Sequence, residues 1–193
     1  MFYKASVYIS DILEQQNKFS KDEKEIYRYG IQQTLNLTLN ILTTIIIGLI
    51  LHTAFQSIWF LICYIPLRSY CGGYHAPNHL RCYIYSVILI TCILEVTKHF
   101  RFNNVVCESF VLLSFFVIIL LAPIEDKNKP LDNIEKKVFR KKACKLALIE
   151  VIVYHVLLTL NLTYSYVILS LSLLSLSLLM IIGAIKNNIS KGM

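Results

Sequence analysis

Apolar residues in this chain do not alternate with polar ones; they fall into long runs. The runs cover residues 35–51, 54–67, 83–97, 105–124, 146–160 and 164–185. Several approach the roughly 20 residues that a helix needs to cross a bilayer. This pattern predicts an all-α, polytopic membrane protein with about six transmembrane helices. Six spans use most of the chain, so residues 1–193 are read as a single membrane-embedded domain. Ser20 followed by Glu23 has capping-box spacing, which predicts a helix starting near Lys21 and running into the first span. Ahead of it, Phe2, Ile9 and Leu13 recur at roughly helical spacing and predict an interfacial amphipathic helix. The charged residues of segment 1–32 leave no apolar stretch before them, so a cleaved signal peptide is not expected.

Composition agrees with that reading. The chain is 56% hydrophobic and 16% charged, far from a soluble domain. Charge then orients it. Segments 1–32, 68–82 and 125–145 and the C-terminal segment hold 17 of the 19 Lys and Arg residues, and Lys98 and Arg101 are the other two. By the positive-inside rule both termini and the loops at 68–82 and 123–145 face the cytoplasm. A net charge of +7 therefore needs no nucleic acid to explain it, and the bilayer is the expected partner. The six cysteines are scattered and form no disulfide framework. Cys63, Cys92 and Cys107 read as small buried apolar residues.

The chemistry is concentrated in residues 71–82, Cys-Gly-Gly-Tyr-His-Ala-Pro-Asn-His-Leu-Arg-Cys, between two apolar runs. A cysteine beside an imidazole base is suited to nucleophilic catalysis, because a thiolate forms more readily than an alkoxide. On one continuous helix His75 and Cys82 would lie about 10 Å apart along the axis, so a working pair needs the chain to turn back. Gly72 and Gly73 supply flexible backbone. Pro77 suits the first turn of a new helix carrying Cys82. His79 lies three residues before Cys82 and is a second candidate base. Arg68 and Arg81 add positive potential. Cys71, His75, His79 and Cys82 could alternatively form a closed zinc site, although the spacing matches no common zinc module. A second loop, Ala122 to Leu131, contains Pro123, Lys127, Lys129 and Pro130 and precedes the basic run Lys136, Lys137, Arg140, Lys141 and Lys142. Such a run is an anchor for anionic lipid, and the Pro-bounded turn could grip an acidic peptide.

Arg68-x4-Gly-Gly-x-His75-Ala76-x5-Cys82-Tyr83, taken with Pro123…Lys129-Pro130-Leu131, resembles the AgrB family, the membrane cysteine peptidases of Gram-positive quorum sensing. The resemblance extends along essentially the whole chain. It implies a hydrolase of the thiol-protease kind that removes the C-terminal tail of a short AgrD-like propeptide. By that likeness Cys82 is the nucleophile and His75 its base, with Arg68 and Gly73 supporting the site. Apart from the likeness, the charge of Lys129, beside Pro130 in the second loop, makes it the first choice for contact with an acidic precursor tail. The product would be a thiolactone or lactone autoinducing peptide. The resemblance implies no metal and no cofactor, and leaves room for a homodimer. A reading from another class is a non-enzymatic transporter or peptide-binding scaffold, with Glu95, Glu108, Glu150 and His155 as separate polar positions within the spans.

Overall fold

The computed structural model describes residues 3–15, 23–74, 76, 78–125 and 131–191. They form seven helices: α1 (Tyr3–Gln15), α2 (Lys24–Ile50), α3 (Ala54–Cys71), α4 (His79–His99), α5 (Asn104–Leu121), α6 (Asn133–Thr159) and α7 (Thr163–Lys191). Among the described residues there is no strand, only an isolated bridge between Gly72 and Ile124. The all-α expectation holds. Each of the six apolar runs became one long helix. Four of these, α2, α4, α5 and α7, are long and apolar enough to cross a membrane. α3 and α6 fall short of that measure. Gln56, Arg68 and flanking serines dilute α3, and the basic run occupies the first turns of α6.

The short connections after α2 and α6 suit antiparallel packing of α2 with α3 and of α6 with α7. The chain leaves α2 through His52 and α6 through Asn161, both in the left-handed region at φ 56° and 57°. Asn103 caps α5 by accepting from Val105 N–H at 3.2 Å. Asp132 and Glu135 form a capping box at the start of α6. One end of the bundle is tied together by Trp59 Nε1 donating to Ser165 O at 3.0 Å and Tyr166 Oη to Asn104 Oδ1 at 2.8 Å. The C-terminal ends of α3, α5 and α7 meet at the other.

α7 is the central helix and packs against α3, α4, α5 and α6. Its run from Tyr166 to Leu173 is buried on every side. Serines make that close packing possible. Ser170, Ser172, Ser175 and Ser177 are buried and donate to carbonyls three residues back, so a small side chain is placed without an orphan hydroxyl. Ser177 also meets Ser114 of α5 at 3.2 Å.

α1 lies along the start of α2, where Lys24 Nζ joins Asp11 at 2.8 Å and Glu14 at 2.6 Å. Ser6 and Ser10 are its buried residues, Ile9 and Leu13 are half-buried, and Tyr3, Tyr8 and Ile12 are exposed. Phe2, Ser20 and Lys21 lie outside the described residues, and α2 is described from Lys24 with Glu23 at its N-cap.

Candidate active site

Arg68 sits in the last turn of α3 and turns its guanidinium along the chain that follows. Its Nη1 donates to Gly72 O and its Nη2 donates to Tyr74 O at 2.6 Å. A planar fork matches two carbonyls presented side by side. To present them, the backbone takes φ 68° at Gly72 and 125° at Gly73, a region that side chains rarely tolerate. A Cβ on Gly73 would also strike Arg68 and lie 3.2 Å from Leu179 O. The loop is pinned from a third side by Tyr74 N–H, which donates to Leu179 O of α7 at 2.8 Å. Gly183 leaves the space for this approach, since a Cβ there would lie 2.7 Å from Tyr74 N.

Cys82 is half-buried in the first turn of α4. Its N–H donates to Asn78 O at 3.0 Å, and its own carbonyl accepts from Ser86 Oγ at 3.0 Å. The helix starts two residues later than expected from Pro77. Asn78, extended at φ −127° and ψ 136°, caps it by accepting from Leu80 N–H, and a capping side chain outweighs proline's preference for the first turn. Ala76 and Asn78, ahead of α4, are outside any helix. His75 and Pro77 themselves lie outside the described residues, while Ala76 between them is buried. His79 is exposed, with Nδ1 3.4 Å from Asn36 Nδ2 of α2. Cys71 is fully buried in the core, away from solvent. Among the described residues, no group of three or more His, Cys, Asp or Glu could hold a metal ion.

The second loop is joined to the first. Ile124 N–H donates to Cys71 O at 2.8 Å beside the Gly72–Ile124 bridge. Glu125 binds Lys136 at 2.6 Å, and its carbonyl accepts from Asn187 of α7 at 2.7 Å. Three members of the basic run are thereby engaged: Lys136 with Glu125, Arg140 with Ile119 O at 3.2 Å, and Lys142 over the Tyr70 ring at 5.0 Å. Lys127, Lys129 and Pro130 lie outside the described residues.

Sequence reading missed several residues. Leu179 and Gly183 carried no local signal. Nor did a cavity of about 160 Å³ between α2, α3 and α4, whose wall includes Asn40, Phe60, Tyr64, Arg68 and Ser86. Tyr64 lies one turn before Arg68 on α3 and lines the same cavity. Cys92 is exposed rather than buried, because it faces outward from the bundle, where a bilayer would be as apolar as a core. The intramembrane polar residues are not all separate either. His155 of α6 meets Glu108 of α5 at 3.3 Å, and His99 meets Glu95 at 3.0 Å.

The family described as Accessory gene regulator B matches residues 6–182 of the chain. The chain belongs to the AgrB family. It is 28% identical over 172 residues to an AgrB-like protein of Clostridium perfringens (strain SM101 / Type A), covering 86% of this chain and 80% of that one. Against accessory gene regulator protein B of Staphylococcus saprophyticus it is 26% identical over 140 residues, covering 71% and 72% of the two chains. A shorter stretch of 86 residues is 33% identical to the protein of that name in Staphylococcus aureus (strain MRSA252), 45% of this chain and 44% of that one. No solved structure matches the chain. With four helices able to cross a membrane, this AgrB-family chain is a multi-pass membrane protein tied to accessory gene regulator quorum sensing.

Proposed function

We propose that the chain is a membrane cysteine endopeptidase that removes the C-terminal tail of a short AgrD-like propeptide. The observation that carries this reading is the position of Cys82. It is half-buried in the first turn of α4, immediately after a loop that Arg68 and Leu179 hold by its backbone. A nucleophile at a helix start, behind a braced loop, is positioned rather than merely packed.

In the proposed reaction His75 takes the Cys82 thiol proton and the thiolate attacks the scissile carbonyl. The C–N bond breaks, the tail amine leaves with the proton from the imidazolium, and the peptide stays on Cys82 as a thioester. An internal Cys or Ser of the peptide then gives its proton to His75 and attacks that carbonyl; the ring closes, the bond to Cys82 breaks, and Cys82 leaves as a thiolate paired with the imidazolium. Exchange of one thioester for another is nearly balanced, so departure of the tail helps to drive the amide cleavage. Arg68 and Gly73 shape the loop, and Lys129 with Pro130 contacts the substrate. In this reading both termini and the site lie on the cytoplasmic side of about six spans forming one domain, and the 17 basic residues in those segments, against two in the opposite loops, support it.

Co-expression with a short candidate precursor, followed by mass spectrometry of the products, tests the reading. Cys82→Ala and His75→Gln abolish cleavage with normal membrane insertion, whereas His79→Gln keeps substantial cleavage. Cys82→Ser retains a trace at most. Near-normal cleavage by Cys82→Ala would move the nucleophile elsewhere, and equal loss in both histidine variants would return the zinc reading.

A further inference from the structure

We propose that the cavity between α2, α3 and α4 is a specificity pocket for the fragment that stays on Cys82. Its occupant is an apolar side chain, branched aliphatic or single-ring aromatic, on the peptide residue that supplies the scissile carbonyl. This rests on the peptidase reading above and adds the substrate class to it.

Two observations place the pocket at the site, and a third gives its character. Ser86 lines it and lies four residues beyond Cys82, about 6 Å further along the helix axis, with its hydroxyl on the Cys82 carbonyl. Tyr64 and Arg68 also line it, and Arg68 is the residue that holds the loop ahead of Cys82 through Gly72 O and Tyr74 O. The rest of the wall is mostly apolar, with Leu37, Ile41, Phe60, Leu61, Ile65 and Leu89.

Size and direction choose the occupant. The cavity measures about 160 Å³. A void of about 150 Å³ with aliphatic and aromatic walls takes a benzene-sized group. From Cys82, α4 runs past Ser86 and Leu89 along the cavity, while the basic first turns of α6 meet Glu125, Ile119 O and the Tyr70 ring at the end of the bundle where the loop before α4 is held. A peptide crossing Cys82 is thereby sorted by polarity. Its apolar, retained part lies along the cavity, and an acidic leaving tail lies toward the cations. An apolar side chain seated beside the thioester also keeps water from hydrolysing it before the ring closes.

The test uses full-length protein in proteoliposomes and precursors carrying Gly, Ala, Leu, Phe or Trp at the residue before the cleaved bond. Wild type is expected to favour Leu and Phe over Gly in kcat/KM by about tenfold or more. Ser86→Leu and Leu61→Trp, which fill the cavity, lower the Leu and Phe precursors by about tenfold more than the Ala precursor, so the ranking inverts. A parallel measurement needs no cleavage: labelling of Cys82 by methyl, butyl and benzyl methanethiosulfonates, read by peptide mapping. The benzyl-to-methyl rate ratio should fall in both filled variants. A flat side-chain ranking in wild type, or equal loss for every precursor in the filled variants, overturns the pocket and leaves the peptidase standing. Size-ranked labelling with no precursor cleaved overturns the peptidase reading, and this occupant with it. A labelling ratio set by the acyl-chain length of the vesicle lipid overturns the proposal in favour of a lipid tail.

Discussion

The backbone N–H of Tyr74 donates to Leu179 O at 2.8 Å, fastening the loop ahead of Cys82 to the central helix of the bundle. A carbonyl has two lone pairs, so Leu179 can serve both its own helix and the loop. The contact depends on a bare position one turn further along α7, and that position is Gly183.

Gly183→Ala separates stability from activity. The new Cβ would lie 2.7 Å from Tyr74 N and 2.8 Å from Gly73 C, so the loop must lift. Such overpacking costs about 1–3 kcal/mol, while alanine returns up to about 1 kcal/mol in helix propensity. The expected result is a small change in thermal stability and at least about a tenfold loss of precursor cleavage. Both are measured on detergent-solubilised protein. Normal cleavage by this variant would show that the Tyr74–Leu179 contact does not position the site.

Arg68→Lys tests the fork. Lysine keeps the charge but offers a point donor, and cannot span Gly72 O and Tyr74 O as the guanidinium does. Losing one charge-assisted hydrogen bond costs about 1.5–3 kcal/mol. Cleavage by Arg68→Lys should therefore fall about tenfold or more, and further in Arg68→Ala. If lysine substitutes fully, Arg68 contributes only positive charge.

How much of this was legible follows from where each signal is written. The helices were legible because each apolar run is long and set off by short polar stretches such as His52-Thr53, Lys98–Asn104 and Asn161. The Cys82 loop was legible because its chemistry lies within twelve consecutive residues. Leu179 and Gly183 were not, since their role arises only when a distant loop folds onto α7. The cavity beside Cys82 needs three helices to exist, and Asn40, Tyr64 and Ser86 signal nothing singly. Asn78 outweighed Pro77 through a side-chain hydrogen bond that spacing does not rank. Cys92 was misplaced because a thiol suits lipid and core alike, so hydropathy cannot tell the two faces apart.

Orientation is checked with single-cysteine variants in right-side-out cells. Arg101→Cys, exposed in the short α4–α5 connection, should react with an impermeant maleimide from outside. His52→Cys should react likewise, though its left-handed φ of 56° makes it the more strained probe. Asn128→Cys should react only after permeabilisation. The reverse pattern would place the Cys82 loop outside and remove the cytoplasmic reading.

Charge reversal asks which cations hold the precursor. Lys136, Arg140 and Lys142 already engage Glu125, Ile119 O and the Tyr70 ring, so each would give up a partner to take substrate. Screening confines attraction to about 8 Å at physiological salt, so only charges close to the peptide count. Glu125, two residues before Lys127 in the sequence, is anchored to α6 by Lys136 and to α7 by Asn187. Lys127→Glu with Lys129→Glu should weaken precursor binding by about tenfold, read as a rise in KM. Cys82 should remain reactive toward a small alkylating reagent, which shows the fold intact. Replacing acidic tail residues of the precursor with lysine should partly restore processing by the doubly reversed enzyme, since the two sites again carry opposite charge. If the double reversal cleaves the unaltered precursor normally, the loop serves as a topological anchor and the tail is held elsewhere, with the exposed face of α1 the next surface to vary.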